Sequence, residues 1–238
     1  MHMRKKKWAI PELSVCPFYI DQPASLKGHW RDRFATGRPL HVELGCGKGV
    51  STAQMAFHQQ DTDFVAIDIT SNVLGDAKRN IESAYALNPV NNILLARLDI
   101  TRIETVFGPE DAVSRIYIQF CNPWTHRKRT AKRRLTHPRQ LMQYRSFLTE
   151  QGEIWFKTDC RELFEDSCTY FEVSGFRLRF CTEDLHRSGF SPNYISEHER
   201  KFSDLGLPIY FGCWQKDAVD PGFDPVRWSK SVEEAGEE

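Results

Sequence analysis

Three glycines, Gly45, Gly47 and Gly49, stand between an apolar run, PLHVEL, and a segment of helical spacing. A strand that turns at once into a helix needs positive φ there, and a ligand laid on the turn needs backbone without a Cβ in the way. A dinucleotide fingerprint, G-x-G-x-x-G, would want glycine at Val50, where a β-branched residue stands, so a nicotinamide cofactor is disfavoured. Asp68 closes the next apolar run, FVAID, nineteen positions after Gly49. That is close to the ~20 expected of an acid accepting from a ribose diol. Asp99 ends ARLD and has two readings, a second ligand contact or a helix cap before Thr101. Farther on, Asn122-Pro123-Trp124 leads into Arg127, Lys128, Arg129, Lys132, Arg133 and Arg134, six cations within eight residues. A run like that is commonly a solvated face, but at the mouth of a cofactor crevice it suits a phosphate backbone.

The elements that must position these groups alternate. Short β-branched or aromatic runs at Pro39–Leu44, Phe64–Ile69, Asn92–Arg97, Ser114–Phe120, Gly152–Thr158, Phe176–Thr182 and Pro208–Trp214 read as strands. Helix-like spacing occupies Val50–Gln59, Ser71–Leu87, Pro138–Thr149 and Cys160–Ser174, with Ser71 and Asp159 placed as caps. The pattern predicts an α/β fold, a seven-stranded, mostly parallel sheet with helices on both faces. Residues 1–25 read as a basic, mobile N-terminal segment, 26–216 as one domain, and 217–238 as an acidic tail that frays.

Composition bounds the function. Lys+Arg 32 balances Asp+Glu 32, so a polyanionic partner must be argued from local clustering rather than net charge. A chain of 238 residues with mean hydropathy −0.51 and no long apolar run is not expected to span a membrane. Pro11 and Glu12 interrupt the N-terminus before a signal core can form, so export is not expected either. The seven cysteines show no C-x-x-C pair and read as reduced thiols of a cytoplasmic protein without a metal site.

The E-x-G-x-G-x-G from Glu43 to Gly49 resembles the first motif of S-adenosylmethionine-dependent methyltransferases. Together with MRKKKWA, VELGCGKG, FVAIDI, NPW followed by KRRL, GEIWFKTD and SEHERKFSDLGLPIY, the chain resembles bacterial tRNA (guanine-N7-)-methyltransferases of the TrmB type over nearly its whole length. The sharpest matches are to that family's TD element after the fifth strand and its T-x-(Y/F)-E element before the last.

The resemblance implies a Rossmann-like class I methyltransferase fold and S-adenosyl-L-methionine as cofactor. It implies tRNA as partner, modified at the variable-loop guanine, and leaves monomer or homodimer open. It places Glu43, Gly45, Gly47, Gly49, Asp68, Asp99 and Asn122 on the cofactor. Asp159 and Ser196, Glu197, His198 and Glu199 fall on the guanine, and Lys128, Arg129, Lys132, Arg133 and Arg134 on the tRNA. Two departures stand out. Asn122 replaces the family's usual Asp, and seven residues separate Trp124 from Lys132, one more than usual, so the substrate-contacting lysine maps onto His126 or, with a gap, Lys128.

Guanine N7 carries an in-plane lone pair and no proton, so its attack on a sulfonium methyl needs no general base. Catalysis is then positioning and electrostatics. A carboxylate on the N1–H and N2–H₂ edge would select guanine and favour the charge the ring acquires; Asp159 is the first candidate and Glu199 the second. Asp159 could equally cap the helix after it. Phe120 and Trp124 could stack on a base or belong to the core, while His186, His198 and Cys181 read from the residues alone as structural. Two other functions remain. An exocyclic-amine methyltransferase is suggested by Asn122-Pro123-Trp124, and a non-catalytic tRNA-binding relative by the loss of the acid.

Overall fold

The computed structural model describes residues 5–34, 37–125, 128–219 and 222–235. Its strands and helices fall into two compact units, one made of residues up to Asp111 with Pro192–Glu197, the other of Ala112–Ser191 with His198 onward.

In the first unit four strands, β1 (Tyr19–Ile20), β2 (Leu40–Leu44), β3 (Asp63–Asp68) and β4 (Ile93–Arg97), lie in the order β1-β4-β3-β2, all parallel. Every residue of β2 is buried, polar His41 and Glu43 included, as expected of a strand covered on both faces. Three helices accompany the strands: α1 (Ala9–Ser14), α2 (Val50–His58) and α3 (Ser71–Tyr85). Helix α1 lies on α3 so closely that a Cβ on Gly75 would stand 2.8 Å from that of Ala9. Beside that contact the Arg79 guanidinium covers the Trp8 ring at 3.5 Å, and Lys6 pairs with Asp76. From Lys6 to Ala9 the segment is therefore docked on α3, with Lys6 engaged within the protein. Asn92, buried before β4, shares its two amide hydrogens among the carbonyls of Ala56, Gln59 and Thr62 at 2.9–3.1 Å, tying the end of α2 to the turn before β3.

In the second unit β5 (Val113–Gln119), β6 (Leu148–Thr158), β7 (Phe176–Thr182) and β8 (Tyr210–Lys216) lie in the order β5-β6-β8-β7. Only β5 and β6 are parallel; β8 runs against both its neighbours. The helices are α4 (Pro138–Phe147), α5 (Arg161–Val173), α6 (Glu197–Asp204, whose first residue belongs to the first unit) and α7 (Pro225–Ala235). Phe171 stacks on Trp214 at 4.2 Å in the core beneath α5. A second cluster of Leu185, Ile209, Phe211 and Cys213 is packed by Phe120, Phe180, Phe190 and Phe202.

The described residues thus form eight strands rather than seven. The addition, β1, is two residues long, too short for an alternation pattern. Helices α1, α6 and α7 were not expected either. The two expected caps differ as well: Thr70 and Cys160 hold the cap positions of α3 and α5, neither with a side-chain bond. His137 caps α4 instead, its Nδ1 accepting from Arg139 N–H at 3.2 Å. All seven cysteines are free thiols.

Candidate functional site

The glycine loop leaves β2 with Gly45 and Cys46 N–H both donating to Ile67 O at 2.9 Å, which ties it to β3. Gly49, at φ 66°, caps α2 and lies against α3, where a Cβ would come within 2.8 Å of Ala77 Cβ. At Gly47, φ 55°, nothing lies within 4 Å of a would-be Cβ, so the loop presents bare backbone. Asp68 ends β3 and links loop to helix: Oδ2 accepts from Gly47 N–H at 3.1 Å and Oδ1 from Thr70 N–H at 2.9 Å. Burial raises its pKa above the ordinary carboxylate value, against the pull of those backbone donors. Glu43 is buried one strand away and accepts from Thr52 Oγ1 of α2.

Asp99 follows β4, whose Arg97 pairs in register with Asp68, so both acids leave at the carboxyl edge of adjacent parallel strands. Asp99 Oδ1 accepts from Thr101 N–H and Oγ1 at 3.0 and 2.8 Å, the capping arrangement foreseen as one of its two readings. Acids at strand ends beside a loop with open space at Gly47 have the chemistry needed to hold a nucleoside carrying hydroxyl and amino donors. Glu197 also belongs to this unit, its carboxylate 2.7 Å from Lys48 Nζ in the glycine loop. Ser196 precedes it, half-buried.

In the second unit Asn122-Pro123-Trp124 follows β5 on a strained path. Of the four non-glycine residues with positive φ among the described residues, Phe120 (50°) and Trp124 (48°) flank this one segment. A left-handed backbone costs about 1–2 kcal/mol for a residue bearing a Cβ, and such strain is retained where surrounding contacts enforce it. Those contacts are specific. Phe120 N–H donates to Lys157 O at 2.8 Å, Trp124 N–H to Asn122 Oδ1 at 3.1 Å, Thr130 Oγ1 to Trp124 O at 3.0 Å, and Arg134 Nε to Pro123 O at 2.7 Å. Only the amide oxygen of Asn122 is used in that turn, a role an aspartate would fill equally well.

The basic run therefore divides. Lys128–Arg133 forms a 3-10 turn; Lys132 and Arg133 are exposed, the latter 5.0 Å over the Trp124 ring. Arg134 is only 3% exposed, paired with Asp166 at 2.5 Å and Glu162 at 3.3 Å. Its placement on tRNA phosphates does not fit that burial: the guanidinium is spent bracing the loop. His126 and Arg127 lie outside the described residues, as do the side chains of Lys128 and Arg129.

Asp159 follows β6, at the same edge as the strained loop, because Gln119 and Lys157 pair in register. Its Oδ1 lies 3.3 Å from His198 Nε2, and that bond, opposed by burial, holds its carboxyl below the ordinary range. Glu199, next in sequence to His198, is fully buried between Lys157 Nζ (2.8 Å) and His186 Nε2 (3.1 Å). A carboxylate so enclosed holds neighbours rather than a ligand.

Sequence reasoning thus located the acids and glycines but missed Arg134 as a brace, Lys48 as the partner of Glu197, and Lys157 and His186 as partners of Glu199. An isolated lysine or histidine carries no spacing signal; only the strand register brings Lys157 beside Phe120. Among the described residues no group of His, Cys, Asp and Glu could hold a metal ion, and no helix is long and apolar enough to cross a membrane.

Residues 37–211 match the model of a family described as putative methyltransferases. The chain is 51% identical over 213 residues to a tRNA (guanine-N(7)-)-methyltransferase of Clostridium botulinum (strain Eklund 17B / Type B), covering 89% of this chain and 97% of that one. It is 49% identical over 219 residues to the protein of the same name in Clostridium beijerinckii, covering 91% and 100%. Among solved structures, the 16S rRNA methyltransferase KamB superposes with a TM-score of 0.58 at 10% identity, covering 91% and 96% of the two chains. An antibiotic-related methyltransferase does so at 0.55 and 15%, covering 92% and 97%. These structural likenesses establish the Rossmann-like methyltransferase fold that the alternation of elements predicts. The sequence relationships go further: this chain belongs to the tRNA (guanine-N(7)-)-methyltransferase family.

Proposed function

We propose that this enzyme transfers the methyl group of S-adenosylmethionine to N7 of a guanine in cytoplasmic tRNA, the variable-loop guanine at position 46. The observation that supports it best is the intact acid-ended glycine loop, in which Asp68 is fixed by Gly47 and Thr70 while Gly47 offers open backbone. Glu43, Gly45, Gly47, Gly49, Asp68, Asp99 and Asn122 would hold the cofactor, which supplies an electrophilic methyl on a sulfonium.

The chain's own groups bind and orient. Guanine N7 carries its own lone pair and needs no base to attack. Asp159, kept ionised by His198, accepts from the N1–H and N2–H₂ edge and stabilises the cationic ring of the product. Glu199 serves the site through Lys157 and His186, and Ser196 and Glu197 through the segment they anchor at Lys48. Lys132 and Arg133, with Lys128 and Arg129 in the same turn, meet phosphates, a contact that weakens with salt.

Incubation with labelled S-adenosylmethionine and unmodified bulk tRNA, followed by nucleoside analysis, should place the label in 7-methylguanosine. A transcript with adenine at the variable-loop position should take none, and Asp159→Ala should lower kcat/KM at least a hundredfold. Label in N6-methyladenosine, or none with both ligands bound, would refute the assignment.

A further inference from the structure

His198 is held as though its edge had a task. Its ring lies between Phe120, 4.8 Å away and tilted 40°, and Phe202, one helical turn on, at 4.6 Å and 27°. Both phenyl rings are packed against the buried cluster of Leu185, Ile209, Phe211 and Cys213, so the imidazole is gripped by side chains that the core itself fixes. One of the two, Phe120, reaches this place only by adopting a left-handed backbone. What the grip leaves outward is Nε2, 3.3 Å from Asp159 Oδ1, with 47% of the His198 side chain and 25% of that of Asp159 exposed. A stacking residue needs no polar atom aimed at a carboxylate, and an imidazole placed only for bulk would have its nitrogens at no particular partner.

We infer that His198 is a positioning residue for guanine recognition, its Nε2–H fixing the orientation of the Asp159 carboxylate; the inference rests on the reading of Asp159 as the guanine contact. An ionised carboxylate can only accept, so the ring nitrogen facing it carries the proton. Each carboxylate oxygen accepts more than once, and the bond from His198 leaves the group able to take N1–H and N2–H₂ of the base. A carboxylate on a free rotor would have to be ordered each time a guanine arrives; one already held loses less on binding. The acid also lies at the start of α5 without capping it, because Cys160 holds the cap position, and the bond from His198 is the side-chain contact that orients it, beside one from its own backbone. The same contact works against adenine, whose Watson–Crick edge presents an acceptor at N1 where guanine presents a donor. A carboxylate kept ionised repels it.

The test separates orientation from bulk. His198→Phe keeps the ring stack and removes the donor; His198→Gln keeps an amide donor and removes the ring. With unmodified tRNA, His198→Phe should raise KM for tRNA about three- to tenfold, the span of a charge-assisted hydrogen bond discounted for its exposure, with a smaller change in kcat. His198→Gln should recover part of that loss, which a purely structural ring could not explain. A readout independent of turnover is the imidazole tautomer in the wild-type protein: long-range ¹⁵N–¹H correlation should find the proton on Nε2, and Asp159→Asn should shift the His198 signals. A proton on Nδ1 alone, or His198→Phe with wild-type KM while Asp159→Ala is inactive, overturns the inference. Asp159→Ala with wild-type activity refutes instead the guanine assignment on which it rests.

Discussion

Two loops lead out of parallel strands in this protein, and they reach unusual backbone by opposite means. The loop after β2 places glycine at each left-handed position, so it costs little and lies bare to a ligand. The loop after β5 puts the aromatic residues Phe120 and Trp124 in the same region of φ and holds them there with Lys157 O, Thr130, Arg134 and the amide of Asn122. One loop is shaped by what its residues lack, the other by what surrounds it. The first should be sensitive to added atoms, the second to the loss of a distant brace.

The largest effect is expected at that brace. Arg134→Met removes the donor to Pro123 O and leaves Asp166 and Glu162, both substantially exposed, to solvent. A loss of about 2–3 kcal/mol in urea unfolding is expected, from one charge-assisted bond and buried packing, with methyl transfer falling at least tenfold as the loop relaxes. A variant of wild-type stability would mean that the loop holds its own strain.

The complementary change is Gly49→Ala. It adds a Cβ at φ 66° that meets Ala77 at 2.8 Å, so about 2 kcal/mol of stability should be lost. Affinity for S-adenosylmethionine, measured by calorimetry, should fall with it. An equally stable alanine variant would remove the contrast between the loops.

The smallest and subtlest test uses the carboxylates beside them. Burial raises the pKa of Asp68, whereas the bond from His198 lowers that of Asp159. In the raised case the folded chain binds a proton before the unfolded one does, so this contribution to stability is present at low pH and is lost as pH rises through the folded value. In the lowered case the contribution is present above the unfolded value and is lost as pH falls through the folded one. On acidification, carboxyl ¹³C shifts should therefore report Asp68 protonating at a higher pH than Asp159. The reverse order would show that the backbone donors to Asp68 outweigh its burial.

The same contrast explains what could be read in advance. A glycine loop is written in residue types at fixed spacing, so Gly45, Gly47, Gly49 and Asp68 were legible, as was the alternation that places them between strand and helix. The strained loop is written in partners that arrive from elsewhere in the chain: Lys157 from β6, and Glu162 and Asp166 from α5, whose approach to Arg134 is fixed only by packing. A cluster of arginines says nothing about which one turns inward, so Arg134 looked like its exposed neighbours Lys132 and Arg133. Glu199 stands likewise: the resemblance puts it on the guanine, and only the fold reveals Lys157 and His186 enclosing it.

The docking of α1 on α3 also has a consequence in time. Lys6, from the segment that also contributes Trp8 and Ala9, precedes its partner Asp76 by 70 residues, and Leu95, the register partner of Tyr19 in β1, comes later still. At synthesis rates of 5–20 residues per second, Lys6 waits roughly 4 to 14 seconds for Asp76 to be made. Its place in the fold is therefore kept open until most of the first unit exists. Helix α1 is synthesised before α3 and β4, yet it waits for both before it can take up its place.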